Sequence, residues 1–232
     1  MNRQQRITGL ICVLITSPFA DLTGQNLKYT EKKGEEKYHY HYYYSREDPG
    51  WKVRCVKLDQ KKDTLEDQTL LTGASYRSRR WDYHRPTDNT RVTARLKNNE
   101  VLLEGIHEGE ALTRSFDIED GPWLQVFPMN PGLETWLKGS EETMRFYVIG
   151  TASKADMDIN LFVAEKEEEL QVGVPAGNFE AWKVNITLSG WRSMFWDGNF
   201  FFRKKDMRII KYDGGGAPGE PGSLTRLVSE KK

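Results

Sequence analysis

Residues 91–118 read RVTARLKNNEVLLEGIHEGEALTRSFDI, and this stretch decides the fold class. Apolar and polar residues alternate in three runs, which are separated by two short polar turns, Lys97–Glu100 and His107–Glu110. Such alternation is typical of strands that are buried on one face. Asn-Asn and Glu-Gly tolerate the positive backbone angles that tight hairpin turns need. The stretch therefore predicts three antiparallel strands in a meander.

The same alternation recurs further along the chain. Residues 156–164 (DMDINLFVA) place Met157, Ile159, Leu161 and Val163 on one strand face. Residues 179–188 (FEAWKVNITL) follow the same pattern, and their predicted inward face carries Trp182, Val184, Ile186 and Leu188. Strand, turn, strand is thus the expected rhythm of most of the molecule.

One segment, residues 121–139, interrupts this rhythm. It contains three prolines, which neither donate to a strand ladder nor fit inside a helix. Within it, LETWLKG (residues 133–139) predicts a short helix capped by Gly139. We expect a helix-and-loop insertion that covers one opening of the sheet and turns Trp123, Phe127 and Trp136 inward.

Composition narrows the class of protein. The 232 residues include 34 Lys and Arg against 34 Asp and Glu, so the formal net charge of zero gives no general attraction to nucleic acid. Aromatic residues make up 12% of the chain, unlike the composition of disordered proteins. The length fits one all-β domain, predicted over residues 21–232, with a flexible Gly/Pro segment near 213–223.

The N-terminus follows the three-part plan of a secretory signal peptide. MNRQQR is basic, ITGLICVLIT is apolar and SPFA ends in a small residue, so residues 1–20 are predicted to be removed after Ala20. The apolar run is too short to span a bilayer, and no transmembrane span is expected. The alternatives to cleavage after Ala20 are cleavage at a neighbouring position and an uncleaved segment that anchors the protein. The signal peptide predicts export to the periplasm or cell envelope of a bacterium.

Cleavage at Ala20 would leave Cys55 as the only cysteine, so that an intramolecular disulfide is impossible. Cys55 lies in an alternating run, WKVRCVKL, and is predicted to be a buried, unreactive thiol.

The stretch EKYHYHYYYSRED (residues 36–48) carries a His-x-His pair. In a strand, His39 and His41 share one face, while Tyr38, Tyr40, Tyr42 and Tyr44 share the other. Zinc needs at least three protein ligands, and nothing in the sequence brings a third to this pair. The tyrosine face is therefore expected to pack inward, and no metal is expected. A metal-dependent hydrolase using His39 and His41 is kept as an alternative.

Two further stretches could form a binding site. In SYRSRRWDYHR (residues 75–85), Arg79 and Arg80 stand among aromatic residues, either as an anion site or as a solvated strand face. In SGWRSMFWDGNFFFRKKD (residues 189–206), aromatic residues are too contiguous for one face of one strand. These aromatic residues either belong to a strand that is buried on both faces, or some of them line a cavity or contact a membrane or a partner.

Catalytic motifs are missing from the sequence. It contains no nucleophile elbow, no phosphate-binding loop, no HExxH zinc motif and no dinucleotide-binding glycine pattern. We therefore expect a protein that is not an enzyme and that needs no cofactor.

Residues 172–191 (VGVPAGNFEAWKVNITLSGW) and the strands after them resemble an exported bacterial family, domain of unknown function 3108. Val174, Pro175, Ala176 and Gly177 match its characteristic run, as do Phe179, Ala181, Lys183 and Val184. The resemblance covers about the last quarter of the chain. It implies a mostly antiparallel, curved or barrel-like β fold outside the cytoplasm, and it supplies no catalytic residues.

Together these observations predict an all-β fold: a curved antiparallel sheet or partly closed β-barrel with one short helix-and-loop insertion. The interior of such a sheet can bind an apolar ligand. We expect a non-enzymatic envelope protein that binds a lipid-like or amphipathic molecule, with Arg79 or Arg80 at the cavity mouth. The predicted wall residues are Trp123, Trp136, Trp191, Phe195 and Trp196. The alternative is a structural module that binds another envelope protein.

Overall fold

The computed structural model describes residues 24–151, 157–194, 196–215 and 221–231, which form fourteen strands, one α-helix and two short 3₁₀ turns. The predicted signal peptide lies outside these residues, as do positions 216–220 of the Gly/Pro segment. The strands are β1 Gln25–Lys33, β2 Glu36–Glu47, β3 Gly50–Leu58, β4 Thr64–Thr72, β5 Ser78–Arg85, β6 Thr90–Lys97, β7 Glu100–His107, β8 Glu110–Asp117, β9 Thr143–Ile149, β10 Ile159–Val174, β11 Gly177–Leu188, β12 Asp197–Arg203, β13 Arg208–Gly214 and β14 Ser223–Lys231. The helix α1 is Pro131–Lys138, and the 3₁₀ turns are Pro86–Asp88 and Gly190–Met194.

All fourteen strands belong to one antiparallel sheet. Its order is β8-β7-β6-β5-β4-β3-β2-β1-β14-β13-β12-β11-β10-β9, so neighbours in the sheet are neighbours in sequence everywhere except at β1 and β14. These two strands pair in the middle of the sheet, and β8 and β9 form its edges. The predicted antiparallel, all-β architecture is confirmed, and the sheet does not close.

The meander that decides the fold is β6, β7 and β8. Asn98 has φ 58° in the first turn, and Glu108 and Gly109 have φ 51° and 86° in the second. The turns therefore use the left-handed backbone conformations that Asn and Gly favour. Val101 and Leu103, which alternate along β7, are fully buried.

The insertion between the two edge strands packs against the inner face of the sheet. Its helix α1 begins after Asn130, whose side chain accepts a hydrogen bond from the Gly132 amide, and ends at Gly139, as predicted. Trp123, Leu124 and Leu133 are buried almost completely. The helix and its lead-in therefore supply much of the core that a single curved sheet lacks.

Strands from both halves of the sheet, β5 and β9, form hydrogen bonds with this insertion. The Ser78 amide of β5 donates to the Trp123 carbonyl over 3.0 Å. On the other side, the Tyr147 amide of β9 donates to Pro122, and the Tyr147 carbonyl accepts from Leu124, both over 2.9 Å. Residues 122–124 thus bridge β5 and the edge strand β9, which holds the sheet in its curled form.

The faces of two strands show how far alternation predicts burial. In β2, Tyr42 and Tyr44 are buried and the two histidines lie on the other face, as expected. In β10, Phe162 and Ala164 pack in the core, whereas Leu161 and Val163 of the alternating set do not. The first two members of that set, Met157 and Ile159, do pack there. Because this strand is apolar on both faces, its pattern does not tell which face is inside.

Among the described residues, no helix is both long and apolar enough to cross a membrane.

Candidate ligand-binding cavity

A cavity of about 240 Å³ lies between the insertion and the middle of the sheet. The insertion forms one wall, and strands β1, β2, β12, β13 and β14 form the others. The described residues that line it are Glu31, Tyr40, Tyr42, Phe127, Pro128, Met129, Trp196, Phe200, Ile209, Tyr212 and Thr225.

Strand register assembles this wall from distant parts of the chain. Phe200 pairs with Tyr212, Tyr212 pairs with Thr225, and Thr225 pairs with Glu31. Residues directly opposite each other in antiparallel strands share a face. The four side chains therefore form one row across β12, β13, β14 and β1, with an aromatic end and an acidic end.

Stacked rings form the aromatic part of the wall. The Phe200 and Tyr212 rings stack at 4.6 Å between centroids, and Phe127 meets Phe200 edge-on at 5.0 Å. Trp196 lies 6.4 Å from Phe200 and is backed by Phe162 at 5.4 Å. Such packing holds the rings in place whether or not a ligand is present.

The carboxylate of Glu31 is the polar part of the wall. It accepts hydrogen bonds from the Tyr40 hydroxyl, over 2.6 Å, and from the Ser223 hydroxyl. Burial, followed by the charge of Glu31, raises the pKa of the Tyr40 hydroxyl well above its ordinary value. Burial raises the pKa of Tyr212 to about 12, and the charge of Glu31 adds to this, whereas a hydrogen bond with Trp196 opposes it.

The exposure of the lining residues changes along the cavity. Tyr42, Met129, Phe200 and Ile209 are buried and form an apolar floor. The partly exposed lining residues form the rim: Glu31, Tyr40, Phe127, Pro128, Trp196, Tyr212 and Thr225. The cavity is therefore amphipathic, with a buried apolar floor and a rim that carries both aromatic and polar groups.

The structure brings one of the predicted wall residues, Trp196, to this cavity. Trp123 is fully buried elsewhere and donates to the Gln125 side chain over 2.9 Å. Trp136 is buried on α1, where the Lys166 ammonium lies 5.2 Å from its ring centre. Trp191 is 69% exposed in the second 3₁₀ turn, and Phe195 lies outside the described residues.

The two predicted mouth residues lie on β5, away from this cavity. Arg79 is exposed, and Arg80 binds the carboxylate of Asp82 through hydrogen bonds of 2.9–3.1 Å. An arginine already held by a neighbouring carboxylate is a weak anion site. The charge at the observed rim is acidic instead.

A second, larger groove runs across the outer side of β3 to β7 and has a volume of about 490 Å³. Some of its charged side chains are paired: Arg54 forms a two-pronged pair with Asp67, at 2.6 and 3.0 Å, and Asp82 accepts from Thr93 and Arg80. Arg91 and Glu104 line the same groove, which is therefore charged and open rather than apolar.

The histidine pair and the cysteine show no reactive surroundings. In the described part of the chain, no group of three or more His, Cys, Asp and Glu side chains is arranged to hold a metal ion. Burial and the nearby Lys28 lower the pKa of His41. Cys55 is 1% exposed, and burial raises the pKa of its thiol to about 12, so the neutral thiol persists at physiological pH.

Sequence reasoning missed Glu31, Tyr40, Phe200 and Tyr212 as cavity residues. Glu31 lies in a charged run before a turn, and Tyr40 lies on the tyrosine face of its strand, for which packing in the core is a sufficient explanation. The tyrosine stripe and the FFF run of β12 were the available signals. Only the pairing of β1 with β14, which is not local in sequence, places these residues around one space.

Solved structures share the fold. A β-barrel-like protein of domain of unknown function 1849 from Brucella abortus is 9% identical with a TM-score of 0.60, covering 90% of this chain and 97% of that chain. A candidate exported protein with a YmcC-like fold from Bacteroides fragilis is 12% identical over 90% of this chain and 96% of that chain, with a TM-score of 0.42. A candidate lipoprotein from Parabacteroides distasonis is also 12% identical, over 90% of this chain and 95% of that chain, with a TM-score of 0.37.

The similarity to the Brucella protein shows a β-barrel-like fold for this chain, and the other two likenesses are too distant to add to it. No family model and no curated protein matches the chain, so the resemblance to domain of unknown function 3108 stays a prediction.

Proposed function

We propose that this protein is a non-enzymatic, exported binding protein that holds the apolar part of an amphipathic molecule in the cavity around Trp196. The observation that carries the proposal is the cavity itself, which lies between the insertion and the sheet. Its floor consists of buried, mostly apolar side chains, and its rim carries the polar groups Glu31, Tyr40, Tyr212 and Thr225. Concave sites with a mostly apolar lining and a few placed polar groups are the usual form of small-molecule sites.

The size of the cavity limits the ligand. A volume of about 240 Å³ is below the range of about 300–1,000 Å³ that is common for drug-sized ligands. The cavity therefore suits a head group and a short stretch of chain, and the remainder of a longer amphiphile would leave past the rim.

Export is the part of the proposal that rests on the sequence. The basic, apolar and small-residue segments of residues 1–20 support it. The same leader supports a location in the periplasm or cell envelope, where amphipathic molecules are abundant.

Native mass spectrometry of protein isolated from its own cell envelope tests the proposal. We expect a bound amphiphile that organic extraction removes, and we expect Trp196→Ala to lose it because one cavity wall disappears. Trp191→Ala is the matched control, since Trp191 is 69% exposed and does not line the cavity. Equal ligand loads in both variants, or a protein that takes up no amphiphile at all, would reject the proposal.

A further inference from the structure

The charge that lines the cavity has one sign, which is negative. Of the described residues that line it, Glu31 is the only charged one. Around it stand the aromatic side chains of Tyr40, Trp196, Phe200 and Tyr212. The faces of aromatic rings carry negative electrostatic potential and attract cations, most of all when the site is partly dry.

The carboxylate of Glu31 is held in position by two hydroxyl groups. It accepts one hydrogen bond from Tyr40 and one from Ser223, one at each oxygen. An ionised carboxylate offers about four acceptor sites, so these two donors from the described residues occupy about half of them. The two donors fix the orientation of the group, which lowers the cost of ordering it when a ligand binds.

Carboxylates and paired lysines stand near the rim. Burial is the main cause that raises the pKa of the Tyr212 hydroxyl, and the charges of Glu31, Asp197 and Asp213 raise it further. Lys211 lies 3.2 Å from Asp213, and Lys57 lies 3.6 Å from Glu66, so these two pairs add little net charge. The Lys57 ammonium also lies over the Tyr40 ring, 5.6 Å from its centre, and the Tyr42 ring stacks on Tyr40 at 6.3 Å, so Tyr40 contributes its hydroxyl to Glu31 rather than an open ring face.

We propose that the cavity selects amphiphiles with a cationic ammonium head group, primary or quaternary. The head group lies against the Glu31 carboxylate and the rings of Tyr212 and Trp196, and the first part of the chain lies on the floor formed by Tyr42, Met129 and Ile209. This inference rests on the proposed binding function and names the class of its ligand. It also reverses the expectation, drawn from Arg79 and Arg80, of a site for anions.

Three detergents with the same alkyl chain test the inference: dodecyltrimethylammonium, dodecyl maltoside and dodecyl sulfate, each below its critical micelle concentration. Binding to the full-length protein is followed by isothermal titration calorimetry. We expect the cationic detergent to bind about tenfold more tightly than the neutral one, as a cation held by aromatic faces and one carboxylate would, and the anionic one to bind most weakly.

Two variants separate charge from shape. Glu31→Gln keeps the size of the side chain: its amide oxygen can accept from one of the two hydroxyls of Tyr40 and Ser223, and its NH2 group can donate to the other hydroxyl oxygen. We therefore expect it to fold, to lose the preference for the cationic detergent and to retain the binding of dodecyl maltoside. Glu47→Gln, at the exposed end of β2, removes the same charge away from the cavity and should leave all three affinities unchanged.

The outcomes separate the cationic preference from the proposed binding function. If none of the three detergents binds, the proposed function falls and the inference falls with it. If all three bind with similar affinity, or dodecyl sulfate binds best, the binding function survives and the cationic preference is overturned. A preference that Glu31→Gln leaves intact would also overturn it.

Discussion

Gln125 shows how one polar side chain joins the insertion to the edge strand β9. Its Oε1 accepts from the Trp123 indole and from the Ile149 amide, both over 2.9 Å, and its Nε2 donates to the Ile149 carbonyl over 3.0 Å. The side chain is 2% exposed. It therefore satisfies three buried groups that water does not reach, including both backbone groups of a residue at the end of an edge strand.

Replacing Gln125 with leucine should destabilise the fold strongly. Gln125→Leu keeps the approximate size of the side chain but leaves the Trp123 indole and both Ile149 backbone groups unpaired, at about 1–3 kcal/mol each. We expect the free energy of unfolding to fall by about 3–5 kcal/mol in urea titrations. Gln171→Leu, on the exposed side of β10, should change it by less than about 1 kcal/mol. Equal losses in the two variants would contradict this role.

At the scale of elements, β14 is the strand that completes the sheet. The pattern LTRLV predicts a short last strand, and in the structure β14 runs over Ser223–Lys231 and pairs with both β1 and β13. A terminal segment thus becomes a central strand, and it separates the two halves of the molecule. Its inner face carries Leu227, which is fully buried opposite Tyr29, whereas the adjacent Val228 is 37% exposed.

Two neighbouring substitutions in β14 should therefore have very different effects. Leu227→Asp buries an unpaired carboxylate and removes core volume, so we expect a loss of more than about 4 kcal/mol and a largely unfolded chain. Val228→Asp faces solvent on the other side of the same strand and should cost about 1 kcal/mol or less. Circular dichroism and thermal melts measure both. Similar melting temperatures for the two variants would show that β14 does not have this register.

For the whole molecule, the buried tyrosines make stability depend on alkaline pH. Burial raises the pKa of Tyr29, Tyr40 and Tyr42 well above the ordinary value of 10.0, and that of Tyr44 to about 12. Between pH 10 and 12 the unfolded chain loses these phenolic protons while the folded chain keeps them. The native state then binds more protons than the unfolded state, so the stability falls as pH rises through this window.

We expect the free energy of unfolding to be flat from about pH 8 to just below pH 10, and then to fall by up to about 1.4 kcal/mol per pH unit for each buried tyrosine. Urea titrations at several pH values measure the slope, and phenolate absorbance should appear together with unfolding. Tyr42→Phe should reduce the slope, whereas Tyr43→Phe, which changes a 41% exposed side chain, should not. A stability that stays constant up to pH 12 would contradict this.

Local pattern determined a large part of this fold. Alternation and turn residues predicted the meander of β6 to β8, the tyrosine face of β2, the inward Val184 and Ile186 of β11, and a short helix ending before Gly139. These features depend on side-chain periodicity and on the backbone angles of single residues, and both are determined by residues that are close together in the sequence.

The pairing of β1 with β14 and the cavity were decided only in three dimensions. Tyr29 donates to the Ile209 carbonyl 180 residues away, and Ser223 donates to Glu31 across 192 residues. No short-range pattern indicates which strands pair at such separations, or which side of β10 turns inward, because several registers satisfy the same alternation. The sequence by itself thus determined that the chain forms antiparallel strands. The tertiary structure decided that Glu31 and six aromatic rings line one cavity, because only the pairing of β1 with β14 brings them within reach of a common ligand.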